Sequence, residues 1–267
     1  DGLLQPRFGF NYTFDSDRPT QLRGGVGLFQ GASPNVWLAG AFQNTGLNFV
    51  EYNLRGAAVP AFDPTLPPAT PPGGSALLVA DIMEPGLKLP SVWKANIALD
   101  HELPWYGIVA SAEALFTKNN DALWFDRVDV GAPTAVGQDG RLIYWNDAGR
   151  NPANAGRFGI EHGGAVSNRA NKPSDVNQAI VVRNNSEGSA QQFTLSLSKP
   201  MVDNWSWTVG YTYTHATDFS PATSSQNSSN WNNTLVFQTN QPEAYNSRYA
   251  IKDRFTGVLT WQKAFFG

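Results

Sequence analysis

The 267 residues allow one large all-β domain or two ordinary ones, and a net charge of −3 supplies no basic footprint for nucleic acid. Charged residues stand at 15%, against roughly 25% in soluble domains, while aromatics reach 12% with nine Trp. Cysteine is absent, which excludes disulfides and thiol chemistry, and no run of about 18 apolar residues exists, which excludes a spanning helix but not a spanning barrel.

The chain opens Asp1-Gly2 without a Met and is read as processed or cut from something longer. In QPRFGFNYTFD, Phe8, Phe10, Tyr12 and Phe14 alternate with Arg7, Gly9, Asn11 and Thr13. Successive side chains of a strand point to opposite faces, so the spacing predicts a strand with one aromatic and one small polar face. The turn cluster DSDRPT leads into QLRGGVGLFQ, where Leu22, Gly24, Val26 and Leu28 alternate with Arg23, Gly25 and Gly27. VWKANIALDHEL sets Trp93, Ala95, Ile97 and Leu99 against Lys94, Asn96, Ala98 and Asp100. After the short turn LPWYG, IVASAEALFTK sets Ile108, Ala110, Ala112, Ala114 and Phe116 against Val109, Ser111, Glu113, Leu115 and Thr117. QFTLSLSK opposes Phe193, Leu195 and Leu197 to Gln192, Thr194, Ser196 and Ser198, and KPMVDN turns into WSWTVGYTYTHAT. There Trp205, Trp207, Val209, Tyr211 and Tyr213 alternate with Ser206, Thr208, Gly210, Thr212 and Thr214. DRFTGVLTWQKAF completes the set of seven, with Phe255, Gly257, Leu259 and Trp261 against Arg254, Thr256, Val258 and Thr260.

A soluble sandwich could bury the aromatic rows in a core, and a membrane barrel could turn them to lipid. Two asymmetries favour the membrane. Short turns join strands one and two, three and four, and five and six, whereas long excursions at about 30–90, 119–190 and 219–248 make the other connections. Strand charges (Arg7, Arg23, Lys94, Asp100, Glu113, Lys252, Arg254) share the small polar face, and the aromatic face carries His101, Lys118, Lys199 and Asp253 only at its ends. A charge facing lipid costs about 2–4 kcal/mol at the midplane and little near the interface. Crossing an apolar band about 25 Å tall takes roughly ten tilted residues, which the segments supply. Phe14, Trp105, Tyr106, Trp205, Trp261, Phe265 and Phe266 cluster near turn ends as an interfacial girdle would. The expected fold is therefore all-β: an antiparallel up-and-down transmembrane β-barrel segment with long extracellular loops, in a bacterial outer membrane.

The strings LQPRFGFNYTF, TQLRGGVGLFQGASPNVWL, ANIALDHELPW and RYAIKDRFTGVLTW resemble the barrel of TonB-dependent outer-membrane receptors, specifically the Oar-like group, with the resemblance spanning residues 1–267. It implies a barrel of about 22 strands that imports ligands, with a plug domain and energy from the TonB complex as partners. No plug and no TonB box are found in this chain. Seven strands are an odd number, and bare edges in lipid are costly, so the chain is expected to be a fragment of the middle or later barrel, about a third of its wall. The alternative is that Phe265-Phe266-Gly267 is a C-terminal barrel signal.

Function is expected in the loops. Residues 55–74 hold six prolines and read as extended and stiff. RLIYWNDAGR places Tyr144 and Trp145 beside Asn146, Asp147 and Arg150, and aromatics flanked by amides and charges suit a peptide or a carbohydrate. With Trp37 and with Trp231 of SSQNSSNWNN these form the candidate ligand set; the bland reading of each is loop-on-loop packing. The SSQNSSNWNN tract forms either a short helix around Trp231 or no fixed structure. Arg7, Arg23, Lys94, Glu113 and Arg254 are expected to face the lumen, there to contact a plug or line a ligand path. Glu113 is expected to pair with a lumen cation, and the glycines of GGVG to let plug or loop backbone approach the wall. The three histidines (His101, His162, His215) share no ligand spacing, and no catalytic residue, metal or cofactor is expected. An adhesin or structural barrel that binds partners without transport is the second reading, and a soluble sugar-binding β protein the third.

Overall fold

Alternation over the seven predicted segments produces seven hydrogen-bonded strands in a single antiparallel wall. The computed structural model describes residues 2–32, 35–47, 61, 64–65, 78–147, 170–171, 173, 175–220, 222–234, 236–238 and 240–263. In chain order the elements are β1 (Arg7–Thr13), β2 (Thr20–Gln30), α1 (Asn35–Gln43), β3 (Leu78–Met83), β4 (Ser91–Glu102), β5 (Val109–Arg127) and the small pair β6 (Ala135–Val136) and β7 (Leu142–Ile143). They continue with β8 (Val176–Asn185), β9 (Ser189–Val202), β10 (Trp205–Asp218), α2 (Asn227–Asn233), β11 (Tyr245–Asn246) and β12 (Asp253–Trp261). The wall runs β1-β2-β4-β5-β9-β10-β12.

Its register keeps one parity throughout. Asn11, Arg23, Ala98, Glu113, Thr194, Thr212 and Arg254 form one continuous row across the wall. The adjacent row, on the other face, reads Tyr12, Leu22, Leu99, Ala112, Leu195, Tyr211 and Phe255. A slip of one residue at any pairing would have mixed the two sets. Protein atoms leave the aromatic face uncovered: Leu195 is 61% exposed and Phe255 81%. The four-residue apolar core lies elsewhere, above the wall.

At the short-turn end the hairpins are tight. Asp203 and Asn204 at φ 54° and 66° make the two-residue link from β9 to β10, the handedness that matches strand twist. Between β4 and β5, Tyr106 and Gly107 at φ 55° and 64° form the tip of a longer link over residues 103–108, with the Ile108 N–H donating to the Trp105 carbonyl at 3.0 Å. Lys199 belongs to the aromatic face here but turns its ammonium back. It donates to the carbonyls of Pro200, Val202 and Trp205 at 3.4, 3.2 and 3.0 Å and lies 4.5 Å from the centre of the Trp205 ring.

The glycines of GGVG sit close against their neighbouring strands. The place a side chain would take at Gly24 is met by the Asn96 carbonyl and the Phe10 ring, at Gly25 by the Phe8 carbonyl, and at Gly27 by Arg7 and the Phe29 ring. Neighbouring backbone and cross-strand aromatic and long side chains share that room.

The excursions depart most from expectation, since they contain strands and α1, whereas α2 is the short helix around Trp231 that the sequence allowed. β5 does not stop near Lys118; its outer third, Ala122–Arg127, pairs with β8, which pairs in parallel with β3. The reason is apolar: Leu123 and Phe125 continue the strand pattern beyond the wall and are covered by Ile180 and Val182 of β8. Trp37 of α1, Leu87, Ala222 and Trp231 of α2 pack around them. Burying each such side chain stabilises by about 1.5–3 kcal/mol, enough to organise segments from all three excursions into one layer. Most of the proline-rich stretch 55–74, together with Arg150, His162 and Phe265-Phe266-Gly267, lies outside the described residues.

Candidate functional site

Two polar regions are candidates: the charged face of the wall and the layer built on top of it. On the wall, Arg23 of β2 meets Asp100 of β4 at 3.0 Å and lies 3.9 Å from Glu113 of β5. Ser111 donates to Asp100 at 2.5 Å, and Asn96 donates to Glu113 at 3.3 Å, so Glu113 has the cationic neighbour the sequence assigned it. Further along, hydroxyls pair across strands: Thr194 with Thr212 at 3.0 Å and Ser198 with Thr208 at 3.1 Å. Arg7 stacks on Phe29 at 4.5 Å, while Lys94 and Arg254 are exposed on this face, Arg254 opposite Thr212. The five charged residues nominated from sequence thus share one face, and two of them, Arg23 and Glu113, lie close together.

In the upper layer, Trp37 and Trp231 reach the same core from opposite ends of the sequence. Both indoles spend their N–H inside the protein, Trp37 on the Ser224 carbonyl at 2.6 Å and Trp231 on Asn240 Oδ1 at 2.7 Å. Tyr144 and Trp145 instead follow the β6–β7 hairpin, where the Trp145 carbonyl accepts from Thr134 at 2.8 Å. Burial, and then the charge of Asp126, raise the Tyr144 phenol above its ordinary value. Asp147 is exposed at the edge of the described residues. Among the described residues, the five nominated loop residues (Trp37, Tyr144, Trp145, Asp147 and Trp231) do not form one cluster, and Arg150 lies outside them.

Ion pairs brace this layer. Arg127 grips Asp129 with Nε at 3.0 Å and Nη2 at 3.2 Å, while Asp129 accepts the Ala179 N–H at 3.0 Å. Arg183 joins Glu84 at 2.6 Å and Asp126 at 3.0 Å. Burial opposes the Arg183 charge, but the two carboxylates outweigh it and raise its pKa. Burial raises Asp126 by more than Arg183 lowers it.

Sequence reasoning missed a cleft of about 420 Å³ where α1, β3, β8 and α2 meet. Asp81 of β3 and Asn227 of α2 line it, 7% and 3% exposed. Asn44 donates to Asp81 Oδ2 at 3.0 Å, but Asp81 Oδ1 and both polar atoms of the Asn227 amide have no hydrogen-bond partner. Such a group costs about 1–3 kcal/mol when buried unpaired. Burial raises the Asp81 carboxyl, with Asn44 and Asn227 pulling it back in part. Gly40 is part of the design: a Cβ there would fall 2.6 Å from Asp81 Oδ2 and 3.1 Å from Asn227 Nδ2. The available signal was a lone acid inside the apolar run LVADIM, which strand alternation alone does not explain.

A larger hollow of about 850 Å³ lies on the aromatic face between Leu99, Leu195, Leu197, Val209, Tyr211 and Phe255. Its lining is apolar, and it belongs to the aromatic face of the wall.

A family model described as "Outer membrane beta barrel domain" matches residues 2–267. No curated protein and no solved structure matches the chain.

Proposed function

Starting from a chain that belongs to the outer membrane beta-barrel domain family, and so lies in the bacterial outer membrane, we propose that it is part of a TonB-dependent uptake receptor of the Oar-like kind. On this reading the aromatic face meets lipid and the charged face lines a lumen. The wall is completed to about 22 strands around a plug domain. Ligand, a peptide or a carbohydrate, is caught by the outer layer and passes inward when energy from the TonB complex displaces the plug. The chain itself performs no catalytic step.

One observation carries the proposal. Segments of all three long connections pack into a single layer at the end opposite the short turns, above a wall face laid with ion pairs and hydroxyls. A layer that served only to close the loops would have no use for a cleft with unmatched polar atoms. Oligopeptide and sugar loss from the medium, followed by mass spectrometry in cells with and without the complete gene, tests the idea. The expected result is a solute whose depletion needs both the gene and an intact inner-membrane proton gradient. Capture at the cell surface that ignores a protonophore would assign the layer to adhesion instead.

A further inference from the structure

We propose that the cleft between α1, β3, β8 and α2 binds a neutral, hydroxyl-rich molecule, a saccharide, held by Asp81 and Asn227. The inference rests on the reading of the layer as a ligand trap and names the ligand class for it.

The unmatched atoms specify what must enter. Asp81 Oδ1 and Asn227 Oδ1 need a donor, and Asn227 Nδ2, whose pull on Asp81 falls short of a hydrogen bond, needs an acceptor. Neighbouring sugar hydroxyls donate and accept at once, so one ring edge can serve the carboxylate and the amide together. A protonated amine donates but cannot accept. Among the described residues, no Lys or Arg lines the cleft, which leaves a phosphate or carboxylate ligand without a counter-charge. Among the described residues, Asp81 is the one carboxylate in the lining, far short of the oxygen set and charge that calcium takes. The remaining walls are amides and hydroxyls, among them Gln43, Gln178, Gln226 and Ser228. Val36 and Val79 supply an apolar patch for the C–H side of a ring. The volume of about 420 Å³ is in the range of small-molecule sites. Bare backbone at Gly40 is what lets the acid and the amide stand this close to α1.

The test uses the full chain in detergent micelles, titrated calorimetrically with glucose, galactose, mannose, N-acetylglucosamine, maltose, cellobiose and chitobiose. At least one is expected to bind saturably, and Asp81→Asn and Asn227→Ala each to weaken it tenfold or more. Asn227→Ala is expected to cost little thermal stability, because it removes no hydrogen bond, only the amide's pull on Asp81. Gly40→Ala, which crowds the same two groups, is expected to weaken binding as well. No saccharide binding, binding that survives both Asp81→Asn and Asn227→Ala, or a response to calcium or spermidine alone would overturn the proposal. Gradient-dependent uptake of a solute by cells carrying Asp81→Asn, with no saccharide bound by the wild-type chain, overturns this inference and spares the uptake reading. Saccharide binding in micelles without gradient-dependent uptake in cells does the reverse.

Discussion

The guanidinium of Arg127, at the outer end of β5, lies 5.1 Å from the centre of the Trp231 ring on α2. Asn240 closes the contact, since its Oδ1 accepts from both Trp231 Nε1 and the Arg127 N–H, and its Nδ2 donates to the Arg127 carbonyl. A strand that begins in the wall is thereby tied to the third excursion.

The pair beneath that contact should control the layer and not the wall. Asp129→Ala strips the buried Arg127 of its carboxylate and the Ala179 N–H of its acceptor. Breaking such a pair costs about 3–5 kcal/mol. Hydrogen exchange should show β8 amides losing protection by about that amount while β4 amides keep theirs; equal loss in both would mean the layer and wall unfold as one unit.

Leu195 and Thr194 are neighbours in sequence on opposite faces of β9, in the central part of the wall. Leu195→Arg should destabilise the protein in lipid vesicles by about 2–4 kcal/mol. Thr194→Arg gives up its bond to Thr212 and should cost under about 1 kcal/mol. Urea titration of the two variants in vesicles makes the comparison, and the reverse order would exchange the lipid and lumen faces.

Lys199 holds the last hairpin closed and is only 5% exposed. Lys199→Met leaves three turn carbonyls without their donor and removes the cation from Trp205. A loss of about 1–3 kcal/mol in urea titration is expected. An unchanged midpoint would show that water takes over those carbonyls.

Asp81 gives the layer a pH dependence of definite sign. Burial lifts its carboxyl above the ordinary 3.8, so the folded layer binds that proton more tightly than the unfolded chain does. Its contribution is most favourable below that ordinary value and is lost as pH rises through the raised one. Asp126, also raised by burial, acts in the same direction. Hydrogen exchange of β3 amides across this window should show Asp81→Asn with a flatter pH slope than wild type and more protection at neutral pH. A wild-type layer that gains stability relative to Asp81→Asn as pH rises would refute the burial argument.

The wall was legible in the residues themselves. A strand's side-chain period of two leaves no freedom once one row is aromatic and the other polar, and Phe8 to Trp261 repeat that pattern seven times. Membership of one face followed for Arg23 and Glu113 without any knowledge of their partners. The upper layer was not legible in the same way, because its contacts join residues with no shared period. Trp37 reaches Ser224 across 187 positions, and Arg127 reaches Asn240 across 113. The apolar run at Leu123–Phe125 reads as part of a long connection, and only Ile180 and Val182, by covering it, make it strand. Only tertiary packing then brought Asp81, Gly40 and Asn227 to one cleft. Alternation belongs to the local chain, whereas a cleft exists only where distant segments meet.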